Sequence, residues 1–201
     1  MGILKNDTVY EDEIFSGLKA VSLKVSRSTF EECQFLDCDL AEAEFDQCRF
    51  IECEFRDSNL NVTKLPGSRF FESQFKDCKV TGINWTSLDW TGITLSAPMA
   101  FESCDLSFSV FNSLSLPGLI VKNCKAWYAD FEACDLTHSV FTNTDLQDAR
   151  FNGTKLDKSD FDGAVNYYID PMGNSIREAH FDFPEVINLL KAFDIKIKGS
   201  D

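Results

Sequence analysis

The sequence is short of the residues that catalysis and membrane attachment draw on. It holds two histidines, His138 and His180, and neither sits at a triad spacing. A glycine-rich phosphate loop, a dinucleotide fingerprint and a metal-ligand cluster are all missing, so the sequence points to a protein that is not an enzyme and needs no cofactor or metal. Apolar runs are short. None reaches membrane-span length, and the opening residues, MGILKNDTVYEDE, lack the core of a signal peptide. Gly2 is followed by Asn6 where myristoylation requires Ser or Thr. Basic residues are also scarce: 19 Lys and Arg stand against 33 Asp and Glu, a net charge of −14. That balance argues against nucleic acid or an anionic membrane as a direct partner and favours a basic protein surface. Aromatics are one-sided, with 19 Phe but only 4 Tyr and 3 Trp.

What is there is a beat of five. Residues 29–60 read TFEECQFLDCDLAEAEFDQCRFIECEFRDSNL, with a large apolar residue at Phe30, Phe35, Leu40, Phe45, Phe50, Phe55 and Leu60. The beat runs from Tyr10 to Leu95. It then slips by one residue within 96–100 and continues from Phe101 to Phe161. Helices repeat near 3.6 and flat strands at 2, so a period of five predicts short extended pieces joined by tight turns and stacked as a solenoid. Seven of the ten glycines fall two residues after a beat, where a turn with positive φ would select them. Pro66-Gly67 and Pro117-Gly118 suit the centre of a type II turn.

The position two residues before each beat is small. All eight cysteines occupy it: Cys33, Cys38, Cys48, Cys53, Cys78, Cys104, Cys124 and Cys134. They share that slot with Ala, Ser and Thr, which neither a zinc site nor a disulfide framework explains. Cysteine reads here as a small, buried, reduced apolar residue, and the protein is expected to be cytoplasmic.

The motif small–polar–Phe/Leu–polar–polar resembles that of the pentapeptide repeat proteins, over about residues 10–165. The resemblance implies a right-handed, quadrilateral parallel β-helix with four pentapeptides per coil. A period of twenty is also visible directly, since Tyr10, Phe30, Phe50, Phe70 and Trp90 are all aromatic while Ala20, Leu40, Leu60 and Val80 are not. The expectation is a lead-in at 1–9, an all-β solenoid of about eight coils over 10–181, and a C-terminal segment at 182–201. In that segment Asp182, Phe183, Pro184 and Glu185 read as a helix start. Val186, Ile187, Leu189, Leu190 and Phe193 give one apolar side, and residues 194–198 alternate like a strand. This helix would cap the last coil or pair with a second copy.

The tail, with YYIDPMGN before it, is similar to the end of Qnr-type pentapeptide repeat proteins. Those protect DNA gyrase and topoisomerase IV from quinolones, and related members give immunity to gyrase-targeting toxins. They dimerise at the C-terminal end and are similar to duplex DNA in shape and charge. Some carry loops projecting from the coils; the only interruption legible here is the one-residue slip.

With coils of twenty, Asp12, Glu32, Glu52 and Glu72 form one acidic column, and Asp37, Asp57 and Asp77 form a second. Residues 30–60 alone carry ten acids and two bases. Like charges about 5 Å apart in water repel by roughly 0.8 kcal/mol, and coil geometry does not require acids there. They are either a solvated face or a phosphate-like ladder for a DNA-binding surface. Outward aromatics at Phe108, Trp127 and Tyr128 are a second candidate contact, and Ile51 and Phe71 share another outward column. The leading reading is a DNA-mimicking homodimer that binds gyrase or topoisomerase IV and confers quinolone resistance or toxin immunity. The alternative is a pentapeptide-repeat adaptor for another protein.

Overall fold

A chain with a large side chain every five residues can bury them all only by turning a corner after each. In a computed structural model, which describes residues 4–92, 97 and 99–195, the backbone winds as a parallel β-solenoid of the right-handed β-helix type. Each coil has four walls. The first wall is a sheet of Val9–Glu11, Thr29–Glu31, Arg49–Ile51 and Arg69–Phe71. The second has six strands: Ile14–Ser16, Gln34–Leu36, Glu54–Arg56, Ser73–Lys76, Met99–Glu102 and Ile120–Lys122. The third is carried by single parallel bridges such as Lys19 to Asp39 and Asp39 to Asn59. The fourth begins with Lys24–Ser26 beside Glu44–Asp46.

Tyr10 lies opposite Phe30 and Phe15 opposite Phe35, an offset of twenty residues. Like therefore stacks on like. Rings of the second wall follow one another at 4.9 Å (Phe15 to Phe35), 4.7 Å (Phe35 to Phe55) and 4.7 Å (Phe55 to Phe75). Rings of adjacent walls meet edge to face, as Phe30 and Phe35 do at 5.5 Å. Both arrangements suit the aromatic quadrupole. The second-wall column runs through nine levels: Phe15, Phe35, Phe55, Phe75, Phe101, Val121, Phe141, Phe161 and Phe181.

Positive φ is not confined to the glycine corners. The same phase is left-handed at Asp12, Glu32, Asp37, Val62, Phe108, Asn123 and His138, among others. Each such residue is held by its N–H, which donates to the next level: Asp12 to the carbonyl of Glu31 at 3.1 Å, and Glu32 to that of Ile51 at 2.9 Å. At Gly163 a Cβ would also crowd the end of the exposed Asn143 side chain, 2.1 Å from its Oδ1, which would have to turn aside. At Pro66-Gly67 the Ser68 N–H donates to the Leu65 carbonyl at 3.2 Å, closing the expected type II turn.

The slip within 96–100 is larger than the beat shows. Gln74 pairs with Ala100 and Phe75 with Phe101, an offset of 26. Subtracting the usual 20 leaves six inserted residues between Trp90 and Phe101. Phe101 takes the second-wall position that the five-residue count gives to Leu95, and it stacks on Phe75 at 5.1 Å. Leu95 itself lies outside the described residues. The rod thus takes up six extra residues between Trp90 and Phe101, within its fifth level, and not a single one.

The eight cysteines are buried and free. The slot asks for more than small size. Cys53 Sγ donates to the Phe30 carbonyl at 3.3 Å, Ser58 Oγ to that of Phe35 at 3.1 Å, and Thr63 Oγ1 to that of Leu40 at 3.0 Å. The Cys38 N–H in turn donates to Ser58 Oγ at 3.0 Å. Small donors tie one level to the next where a corner leaves backbone groups over. Burial pushes the Cys53 and Cys134 thiols up to about 12.

Past Phe161 one wall changes. Asn166 turns left-handed, and Tyr167 and Ile169 enter the core instead. Phe181 then stacks on Phe161 at 4.9 Å. A helix of 3-10 type, Glu185–Phe193, closes this end. Leu189 is buried and Val186 packs on the core, so these two cap the coil; Leu190 and Phe193 are exposed. Of the strand expected at 194–198, residues 196–198 lie outside the described residues. No helix among the described residues is long and apolar enough to cross a membrane.

Two measurements check this packing. Phe55→Ala empties a fully buried position between Phe35 and Phe75 and is expected to cost about 3–5 kcal/mol in denaturant melts. Cys53→Ser keeps a donor to the Phe30 carbonyl and should change stability by less than about 1 kcal/mol. The raised thiols set a pH dependence. Above about pH 9 the unfolded chain loses thiol protons that the fold retains up to about 12. The thiol contribution to stability should therefore be level below pH 9 and decline between 9 and 12. A thiol reagent at pH 8 should label the cysteines only after unfolding.

Candidate partner-binding surface

Corner residues cannot point into the core, because the neighbouring slot and beat already fill it. Their side chains project outward, one per level. The corner after the first wall carries Asp12, Glu32, Glu52 and Glu72, and the corner after the second carries Asp37, Asp57 and Asp77. All seven are exposed and left-handed. Level-to-level hydrogen bonds hold them in vertical register, as from the Glu52 N–H to the Phe71 carbonyl at 2.8 Å and from the Asp57 N–H to the Lys76 carbonyl at 3.1 Å.

The flat walls treat charge differently. Several of their columns bring opposite charges together on successive levels, joined by ion pairs: Lys24–Glu44 at 2.9 Å, Lys76–Glu102 at 3.4 Å, Lys125–Asp105 at 3.6 Å and Lys155–Asp135 at 3.2 Å. Arg69 pairs with Asp89, whose carboxyl Thr91 and Arg69 together hold down at about 2. Among the described residues none of the seven corner acids has an ion-pair partner. Neutralisation was available on this scaffold, and these two corners lack it.

Acids flanking the first column escape a search for residues at a single phase. Glu11 and Glu31 pair in register beside Asp12 and Glu32, and Glu13 and Glu54 stand on the other side of the corner. The pair at 11 and 31 shows the same spacing of twenty, which could have found it. A shallow hollow along this edge is lined by Glu32, Gln34, Glu52, Glu54, Glu72 and Gln74. Glu11, Asp12, Glu13, Glu31, Glu32, Glu52 and Glu72 put seven carboxylates without an ion-pair partner among the described residues on four levels, with Glu54, paired to Arg56, beside them. Four levels occupy about 19 Å, over which duplex DNA carries about eleven phosphates. The ridge ends at the insertion after Trp90. Below it the two columns continue as Gly92, Gly118 and His138, and as Ser103, Asn123 and Asn143.

The outward aromatics are on other edges. Phe108 and Tyr128 stack at 5.1 Å after the third wall, and Trp127 lies half-buried beneath the Lys125 ammonium at 3.8 Å. Asp148, hydrogen-bonded to the Tyr128 hydroxyl, pushes that phenol up. Phe71, exposed and in register with Ile51, borders a hollow with Arg49, Arg69, Thr91 and Gly92.

A family model described as the pentapeptide repeat region matches residues 28–97 and 98–165, well over half of the chain. The chain belongs to the pentapeptide repeat family.

A search of curated proteins finds no match. Among solved structures, this pentapeptide repeat protein is similar to a trypsin-treated variant of QnrB1, a plasmid-mediated fluoroquinolone resistance protein. Identity is 14%, coverage 96% of this chain and 99% of that one, and the TM-score 0.53. Full-length QnrB1 is similar at 16% identity over 93% of this chain and 100% of that one, TM-score 0.41. HetL, from the cyanobacterium Nostoc sp. strain PCC 7120 and involved in heterocyst differentiation regulation, is similar at 12% identity over 87% and 84%, TM-score 0.40. At these identities the likeness concerns the fold. His138 is exposed at the corner after the first wall and His180 on the second wall beside Asp160, and no group of three or more His, Cys, Asp or Glu among the described residues could hold a metal ion.

Proposed function

We propose that this chain is a non-catalytic DNA mimic that binds the basic DNA-binding surface of a type II topoisomerase, DNA gyrase or topoisomerase IV. In doing so it protects the enzyme from quinolones or from a gyrase-targeting toxin. The observation that carries this reading is the acidic ridge on the first four levels, seven carboxylates without an ion-pair partner among the described residues, on a scaffold that pairs many of its charges elsewhere. The QnrB1-like fold supports it, QnrB1 being a fluoroquinolone resistance protein. The protein acts in the cytoplasm, where its target is. It works as a homodimer joined at the C-terminal end, with Leu190 and Phe193 facing the second copy and Val186, Ile187 and Leu189 supporting them from the cap side.

A phosphate-like ladder acts through its summed field. Changing Glu32, Glu52 and Glu72 together to Gln keeps size and removes three charges. Fold stability should hold or rise by up to about 1 kcal/mol as repulsion is relieved. Affinity for gyrase should drop by at least about tenfold, and wild-type binding should weaken steeply with salt, since attraction is screened within about 10 Å at 0.1 M. The same change at Glu42, Glu132 and Glu178, away from the ridge, should leave binding within about twofold. Equal binding by the ridge variant at low and high salt would rule the mimicry out.

Dimerisation is read separately by sedimentation. Leu190→Asp should give monomers whose coil still melts as in wild type, because Leu189 and Val186 keep their places on the last coil. An intact chain that sediments as a monomer at all concentrations would leave the helix as a cap alone.

A further inference from the structure

One column of the first wall sets like charges together. Where Lys24 meets Glu44 and Lys155 meets Asp135 on successive levels, Arg49 lies in register with Arg69. Like charges directly opposite on adjacent strands destabilise the pairing. Arg69 turns to the next level, where its Nε donates to Asp89 Oδ2 at 2.9 Å and its Nη2 to Thr91 Oγ1 at 2.6 Å. Arg49 has no ion-pair partner among the described residues. Two residues along the same strands, Ile51 lies in register with Phe71, which is 53% exposed. That position accepts a small polar residue at no cost to the core, as Thr91 shows twenty residues on.

Between these two rows is an open hollow of about 280 Å³, with Arg49 and Arg69 on one side, Ile51 and Phe71 on the other, and Thr91 and Gly92 at its foot. The two arginines are its only charged lining groups, on a chain whose net charge is −14. Glu31 lies one level from Ile51, and Glu52 and Glu72 follow Ile51 and Phe71 at the corner, but none of the three lines the hollow. Across the wall the order is therefore basic, apolar, acidic. An open hollow of this size is small for enclosing a free ligand. It fits one side chain of a larger partner, held in place by that partner's own backbone. Exposed Phe and Arg are residues that interfaces favour, and an unpaired guanidinium selects a carboxylate through its fork. Arg49 and Ile51 are two residues apart on a strand, about 6.6 Å, which is also the spacing of side chains on one face of any extended chain.

We propose that the hollow between Arg49 and Phe71 is a docking site for an extended segment of a partner protein that carries an acidic, an apolar and a basic residue at alternate positions. The acid pairs with Arg49 and relieves its repulsion with Arg69. The apolar side chain lies on Phe71 and Ile51, and the basic one reaches Glu52 and Glu72 at the corner. A uniformly basic segment is disfavoured by the two arginines, so the hollow asks for something that the acidic ridge alone does not. It stands on the first wall beside the ridge, and only its third contact draws on ridge acids.

The test uses a fluorescent heptapeptide of sequence SESLSKS, titrated against the full chain at fixed ionic strength and followed by anisotropy. No topoisomerase is present, so the result stands apart from the proposed function. The matched peptide SQSLSKS, which lacks the acid, should bind at least about tenfold more weakly. Arg49→Gln and Phe71→Thr should each weaken SESLSKS about tenfold. Both residues are exposed, so the variants should melt as wild type does or, for Arg49→Gln, slightly higher as repulsion is relieved. Lys64→Gln, which removes an exposed positive charge from the fourth wall, should leave binding within about twofold. A wild type that does not bind SESLSKS, or that binds it and SQSLSKS equally, overturns the proposal. So does undiminished binding by the Arg49→Gln or Phe71→Thr variant. Inorganic phosphate that displaces the peptide as effectively as unlabelled SESLSKS would make the hollow a simple anion site and overturn it too.

Discussion

The parallel hydrogen bonds between levels are the constraint on which the rest of the structure depends. Most corner N–H groups donate to a carbonyl nineteen residues on, as from Asp12 to Glu31 and from Glu32 to Ile51. That spacing sets twenty residues per coil, and it is kept on either side of the insertion after Trp90. It places Phe on Phe inside, slot on slot beside them, and corner on corner outside. Ring stacking at 4.7 Å is a consequence of the backbone repeat as much as a preference of the rings.

The same constraint explains the surface. A wall position has neighbours above and below at one strand spacing, so opposite charges in successive coils pair readily, as Lys24 and Glu44 do. At the first two corners acids meet other acids, whereas Asp7 and Arg27 pair at another corner. Unpaired acids are therefore concentrated on those two edges and on Glu11 and Glu31 beside them. Left-handed backbone at every corner also makes an unusual occupant conspicuous. Phe108 and Tyr128 stand out because the positions around them are filled by residues that this conformation admits more easily.

Much of this was legible beforehand because period five has a single physical solution. The beat located the core down to individual residues, the slot located the cysteines, and a spacing of twenty put Asp12 above Glu32 and Phe108 above Tyr128. The length of the insertion after Trp90 was not legible. Six inserted residues and one shift a five-residue beat by the same amount, and only the pairing of Phe75 with Phe101 separates them. The slot's hydrogen bonding was hidden for a related reason. Cys, Ser and Thr look alike as small residues, and their role as donors appears only when the carbonyl of Phe30 or Phe35 is brought within reach from the coil above.

By itself the sequence determined the coil, its core and the vertical order of its side chains, since these follow from chain spacing and apolar burial, which are properties of a linear pattern. Tertiary structure alone decided which charges are neutralised, because an ion pair needs two side chains from different coils to reach each other. It also decided that Val186 and Leu189 face the last coil while Leu190 and Phe193 face outward, because a helix has an inner side only once there is something for it to cover.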